Sequence, residues 1–209
     1  MPMLRTKKKI IARRRATRPA HGTLRGRIRN TARELFARQG YESVSMRRIG
    51  AAVGCSPMAI YRHFPNKEEL LLSICEETFG KMLRLIDATR AEPGTPLEKL
   101  RRSVRTVLEF HLSHPNHFKV TFLTTMPPGP VAERKVAIGQ HTMDRLRAGV
   151  RECAEAKGLD IDVEMASQVI RVAIHGLAGS LITTGKCYPW KDPERTKDEV
   201  IAAVTRQFE

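Results

Sequence analysis

The sequence predicts an all-α protein with a small N-terminal helical head and a larger helical body. Three observations predict it. Apolar residues recur at steps of three and four from Leu24 to Phe208, the period of helices that bury one face. Proline-bearing breakers stand between those runs, at Pro65, Pro93-Gly94, Pro115 and Met126-Pro127-Pro128-Gly129-Pro130,. No stretch reads as a strand, and no internal repeat is present.

The elements follow in order. Residues 1–21 read as a flexible basic arm. A first helix is expected from about Thr23 to Gln39, with Leu24, Ile28, Ala32, Leu35 and Phe36 on one stripe. Gly40 closes it and Tyr41 follows as an apolar anchor. Two short helices then surround a glycine turn from Ser45 to Phe64. Ser45 caps the first, which buries Met46, Ile49 and Val53, and Gly54 supplies the permissive backbone of the turn,. Ser56 caps the second, with Pro57 at its first position, where the missing N–H costs nothing. This is a helix-turn-helix, whose second helix is of the kind that enters a DNA major groove. Asn66 with Glu69 forms a capping-box pattern that opens the next helix,.

From Lys67 onward the chain reads as helix throughout. Leu71, Cys75, Phe79, Met82 and Ile86 mark one helix, and Leu97, Leu100, Val104, Val107 and His111 the next. Phe118, Phe122 and Met126 mark a short helix after Pro115. Gly139, Met143, Leu146, Val150 and Cys153 form a seam up to Gly158, and Val163, Ala166, Ile170, Ala173, Leu177 and Leu181 another up to Gly185. Ile201, Val204 and Phe208 mark the last. The expected division is an arm over 1–21, a helix-turn-helix domain over 22–66 and a ligand-binding and dimerisation domain over 67–209.

Charge points the same way. The 209 residues carry a formal charge of +15, and residues 1–33 hold twelve Lys or Arg and no acid, leaving +3 for the rest. A basic footprint beside a helix-turn-helix indicates phosphate contact; a solvated tail that aids solubility is the other reading. The start is also Arg-rich and acid-free like an organellar transit peptide, but the helix-turn-helix behind it favours an arm placed on DNA. Cys55, Cys75, Cys153 and Cys187 have no metal-like spacing, which fits a reducing, cytoplasmic compartment. Cys55 at the turn reads as a small filler rather than a redox switch. The richest apolar stretch, Val172 to Thr184, is short and contains His175, so no membrane span is expected.

No GxSxG, HExxH, Walker or dinucleotide-binding glycine pattern is present, and an enzyme is not expected. His111, His114 and His117 invite a metal reading, but Pro115 interrupts their helix and no carboxylate or thiol sits among them,. Neither a metal nor a cofactor is expected. A DNA-packaging protein that binds without sequence preference remains the alternative to a regulator. It would need no ligand cavity.

Ala32, Leu35-Phe36, Gly40-Tyr41, Ser45-Met46, Ile49, Gly54, Ser56, Ile60-Tyr61, His63-Phe64 and Lys67-Glu68-Glu69-Leu70-Leu71 stand in an order and spacing that resembles the TetR family of bacterial transcriptional regulators. The resemblance covers roughly residues 24–72. Gly50 and Val53 stand where the family usually has alanine, and Cys55 where it usually has valine; Gly50 is expected to weaken its helix by about 1 kcal/mol relative to alanine. Beyond residue 72, Phe110-His111-Leu112-Ser113-His114-Pro115-Asn116-His117-Phe118 is similar to a helix break common in these proteins. His175-Gly176-Leu177 looks like the core of a subgroup with a Trp-His-Gly signature, with Ile174 in place of the tryptophan.

The resemblance implies an all-helical homodimer whose heads read a palindromic operator in double-stranded DNA, most simply as a repressor. A small, mostly hydrophobic effector would release it by tilting the helix that begins at Lys67. Carried over by position, Arg47, Pro57, Met58 and Arg62 approach base edges, Tyr61, His63 and Lys67 hold phosphates, and Ser45 lies near the backbone. Tyr61 suits a phosphate if its ring packs on the head and its hydroxyl points outward. The effector cavity is expected among Val107, His111, Phe118, Phe122, Met126, Met143, Ile174 and His175. The small residues Gly176, Gly179 and Ser180, with Ile201, Val204 and Phe208, are expected at the dimer seam.

The arm itself is open to test. Deleting residues 1–18, which hold eight cations and no acid, is expected to leave the preferred operator unchanged, weaken binding, and make the slope of log affinity against log salt shallower. Equal slopes for the truncated and full-length proteins would remove the arm from DNA binding.

Overall fold

The computed structural model describes residues 22–185 and 187–209, so the arm expected over 1–21 lies outside the described residues. Among them the chain forms nine α-helices and no strand: α1 (Leu24–Gln39), α2 (Met46–Val53), α3 (Pro57–His63), α4 (Lys67–Ala91), α5 (Pro96–Ser113), α6 (Pro115–Phe122), α7 (Pro130–Lys157), α8 (Val163–Thr183) and α9 (Pro193–Thr205), closed by a 3-10 turn, Arg206–Phe208. The all-α class and the order of elements are those predicted.

The ends are set by local chemistry. Thr23, Ser45, Ser56, Asn66, Thr95, Asp162 and Asp192 each accept a backbone N–H with a side-chain oxygen at a helix start,. The reciprocal capping box forms at Thr95–Glu98, not at Asn66–Glu69. There Asn66 accepts from the Glu69 N–H at 2.8 Å, while the Glu69 carboxylate is drawn to Arg134 of α7 at 2.7 Å. The short helix α6 stops at Phe122, so Met126 lies in the coil that follows.

Two apolar cores organise the helices. Ile28, Ala32 and Phe36 of α1 pack with Val44, Met46, Ile49, Ile60 and Phe64 of the helix-turn-helix, and Leu70, Leu71, Ile74 and Cys75 of α4 complete that core. The head core therefore runs past residue 66 into the first turns of α4. The second core gathers Leu100, Val104, Leu108, Phe118, Val150, Ile170, Ile174, Leu177, Ile201 and Phe208 from α5 to the C-terminus. Helix α4, about 37 Å long at 1.5 Å per residue, passes from one to the other.

A polar latch fixes α1 on α4. The Glu77 carboxylate receives Arg29 at 2.8 Å and Arg33 at 3.3 Å from α1, and Lys81 at 2.9 Å from its own helix. Burial pushes the Glu77 carboxyl up, but the Lys81 hydrogen bond and the surrounding cations outweigh it and hold it below the ordinary value of 4.5,. Two cations of the N-terminal basic run are thus engaged inside the protein.

Glu77→Gln is expected to lower stability by about 1–2 kcal/mol near neutral pH, since it leaves partly buried cations less well paired. A carboxyl depressed in the fold contributes its full stabilisation above its unfolded value, and that contribution is lost as pH falls through its folded value. Urea denaturation should therefore show the gap between wild type and variant at pH 7 and its closure below pH 4.5.

Candidate functional site

The head presents one exposed, uncommitted surface. Ser45 Oγ accepts from the Arg48 N–H and Ser56 Oγ from the Ala59 N–H, both at 3.2 Å, which starts α2 and α3 cleanly. Between them Gly54 takes the left-handed conformation at φ 76°, open to glycine without a Cβ penalty. Gly50 is buried at the crossing of α2 and α3. A Cβ there would stand 3.2 Å from Ile60 Cδ1 and 3.3 Å from the Cys55 carbonyl oxygen. Its cost in helix propensity is accompanied by a close approach of the two helices that the sequence did not reveal.

Ile60 and Phe64 anchor α3 inward, so Pro57, Met58, Tyr61 and Arg62 face out. Ser45, Arg47, Pro57 and Arg62 are exposed, Met58 is 68% exposed and Tyr61 51%. Tyr61 stands outside the head's core cluster, so its ring is offered to solvent more fully than the expected packing would allow. His63 is half-buried at the end of α3. Arg48, which the sequence reading passed over, is exposed beside Arg47.

Lys67 departs from expectation. Its ammonium donates to the Tyr41 carbonyl at 3.1 Å, lies 4.1 Å from the Tyr41 ring centroid, and faces Glu42 at 3.9 Å. It ties the start of α4 to the loop after α1, and a phosphate would have to share it.

A cavity of about 640 Å³ opens between α4, α5, α6, α7 and α8, within the range of roughly 300–1,000 Å³ usual for small-molecule sites. Of the expected residues, Val107, Phe122, Met126, Met143, Ile174 and His175 line it. His111 and Phe118 do not. They are buried one layer behind, with the His111 ring centroid 5.3 Å from that of His175 and 5.1 Å from that of Phe122. Sequence reasoning missed the α4 wall, Phe79, Met82 and Ile86, because a stripe at helical spacing reads equally as core.

It also missed the charges. Arg90, Arg145 and Arg147 reach the cavity, but each holds a carboxylate: Glu152 at 2.5 Å, Asp87 at 2.9 Å and Glu164 at 2.5 Å. Lys135 and Arg171 also line it, and among the described residues neither is paired with a carboxylate. Nothing in the local sequence marks these two out from the other cations. Burial pushes the imidazole of His175 down to about 4 and that of His111 to about 3. Both are therefore neutral at physiological pH.

The expected dimer residues separate into two groups. Ile201 and Phe208 lie in the body's own core and Val204 packs against it, so Ile201 and Phe208 are not available to a partner; they form the inner face of the C-terminal segment. Gly176 and Ser180 are exposed on α8, and Gly179 is half-buried with the Phe118 ring behind it. The same outer face of α8 carries Met165, Val169 and Val172, all at least half exposed. By length and composition α8 is long and apolar enough to cross a membrane, contrary to expectation. The reason is that it is apolar on two faces: Ala166, Ile170, Ile174 and Leu177 face the core, and the second stripe stands outside.

Comparison with known proteins decides the family. Residues 28–74 match the model of the bacterial regulatory proteins of the tetR family, and residues 100–205 match that of the tetracyclin repressor-like C-terminal domain. The chain belongs to the TetR family. This TetR-family regulator is 28% identical over 192 residues to the HTH-type transcriptional regulator AcrR of Shigella flexneri, a match covering 87% of this chain and 88% of the relative. Its fold is that of the FadR regulator of Bacillus subtilis, solved with stearoyl-CoA, at a TM-score of 0.76 and 21% identity over 86% of this chain and 97% of the other. It is also that of AibR, solved with isovaleryl coenzyme A and operator DNA, at a TM-score of 0.70 and 20% identity over 86% and 97%. The TetR-family head is the DNA-binding module of a transcriptional regulator.

Proposed function

We propose that this TetR-family regulator is a cytoplasmic homodimeric repressor, released from a palindromic operator by an anionic amphiphile with an acyl chain. The observation that carries the reading is the cavity. Its walls are apolar along Phe79, Met82, Ile86, Val107, Phe122 and Ile174, while Lys135 and Arg171 stand at it without acidic partners among the described residues. An apolar chain fills the first part and an anionic group pairs with the second. Solved relatives of the same fold hold stearoyl-CoA and isovaleryl coenzyme A, which supports an acyl ligand. A DNA-packaging protein would have no use for such a cavity.

In the heads, Arg47 and Arg62 read bases, Pro57 and Met58 make apolar contact with base edges, and Tyr61 and His63 hold phosphate beside Ser45. Lys67 joins them by sharing its ammonium with Tyr41. The dimer seam is placed on the outer face of α8, along Met165, Val169, Val172, Gly176 and Ser180. That face would otherwise leave apolar area in water. The effector acts by population shift: it favours a state in which α4, which is at once cavity wall and head core, sets the two heads at the wrong spacing.

Two measurements test this. Dodecanoyl-CoA and dodecanoic acid should each weaken binding to the operator flanking the regulator's own gene, and Arg171→Gln with Lys135→Gln should weaken their effect at least tenfold. Release that is unchanged in the double variant would remove the anionic half of the reading. On the DNA side, Arg47→Ala or Arg62→Ala should cost about 1–3 kcal/mol and relax specificity at one position per half-site, whereas Tyr61→Phe should weaken all sequences alike. Uniform losses in all three would show that the two arginines hold phosphate instead.

A further inference from the structure

The cavity wall holds one histidine, His175, and a second, His111, is buried one layer behind it. His175 of α8 lies against Phe122 of α6, with ring centroids 4.6 Å apart. Behind it His111 of α5 packs 4.9 Å from Phe118 and 5.3 Å from His175. His111 is fully buried, and among the described residues neither of its ring nitrogens has a hydrogen-bond partner. Each neutral imidazole carries one N–H and one lone pair, and leaving these unmade in an apolar interior is costly. A phenyl ring would fill the place of His111 without that cost. The polar atoms therefore answer to something other than packing.

The geometry points to a neutral polar subsite, formed by His175 with His111 behind it, that takes a hydroxyl or carbonyl oxygen on the effector's chain. The inference rests on the acyl-ligand reading above and sharpens it: the regulator distinguishes an oxygen-bearing chain from a plain one. His175 lines the cavity and makes the contact; the His111 ring packs edge-on against it at 5.3 Å. Both imidazoles are uncharged at neutral pH, pushed down mainly by burial and further by His175 beside His111 and by Arg171 beside His175. The subsite thus suits a neutral oxygen, and the carboxylate goes to the cations. Arg171 precedes His175 by one turn of α8, about 6 Å along the axis. A carboxylate at Arg171 brings the near end of the chain to the His175 side of the cavity, and a hydroxyl at carbon 3 is the position to probe.

The experiment is a calorimetric titration of the full-length protein with dodecanoic acid and with 3-hydroxydodecanoic acid. Wild type is expected to bind the hydroxy acid about tenfold more tightly, the effect of one buried hydrogen bond gained and left unmade by the plain chain. His175→Phe is expected to abolish that preference, so that the two acids bind the variant within about threefold of each other, and His175→Gln, which keeps hydrogen-bonding atoms, to retain part of it. Equal affinity of the two acids for wild type overturns the subsite while leaving the acyl reading in place, as does a preference that survives in His175→Phe. If neither acid nor its coenzyme A thioester binds, the acyl reading itself falls and the subsite with it.

Discussion

The burial of Leu70, Leu71, Ile74 and Cys75 beneath the three head helices is the constraint on which the rest depends. A head of three short helices has too little apolar surface to hold itself together, and α2 and α3 have eight and seven residues, too few to persist alone. They persist because α4 closes their core. The same helix, two turns on, supplies Phe79, Met82 and Ile86 to the cavity wall. A continuous helix resists bending, so the orientation of the head and the shape of the cavity are set by one rigid element. In the proposed mechanism this is what lets a ligand act on DNA binding without touching DNA.

Charge is sorted by the fold rather than by composition. Arg29 and Arg33 belong by sequence to the basic N-terminal run, yet Glu77 engages both, and Lys67 is held at Tyr41. Each contact clamps α4, either to α1 or to the loop that follows it. The exposed Arg47, Arg48 and Arg62 stand on the opposite account, on a surface that the two capped helices turn outward. In the body, carboxylates from α4, α7 and α8 neutralise Arg90, Arg145 and Arg147. What distinguishes Lys135 and Arg171 is that no carboxylate among the described residues reaches them. Long-range pairing, not the number of cations, decides which charges face a ligand.

Helix α8 shows how one segment can satisfy two demands. Its inner stripe closes the body core, and its outer stripe of Met165, Val169 and Val172 remains uncovered. Such a helix resembles a membrane span by composition alone. The packed inner face and the family's DNA-binding head make a second copy of the chain the better occupant, which is the role proposed for it.

By itself the sequence determined the all-α class, the helix-turn-helix with its caps at Ser45 and Ser56 and its turn at Gly54, and the exposed face carrying Arg47, Met58, Tyr61 and Arg62. These features are local: they depend on residues three or four apart and on glycine and proline, and such neighbours interact in any context. It also pointed to part of the apolar cavity wall, Val107, Phe122, Met126, Met143 and Ile174. Only the tertiary structure decided the rest. It moved His111 and Phe118 behind the lining, turned Ile201 and Phe208 inward, brought α4 into the cavity, and separated the paired cations from Lys135 and Arg171. Helical periodicity says that a stripe is buried, but it does not say whether the stripe meets another helix, a cavity or a second chain. That choice depends on residues distant in sequence, such as Glu77 with Arg29 or Arg147 with Glu164, whose meeting is fixed only when the helices are packed.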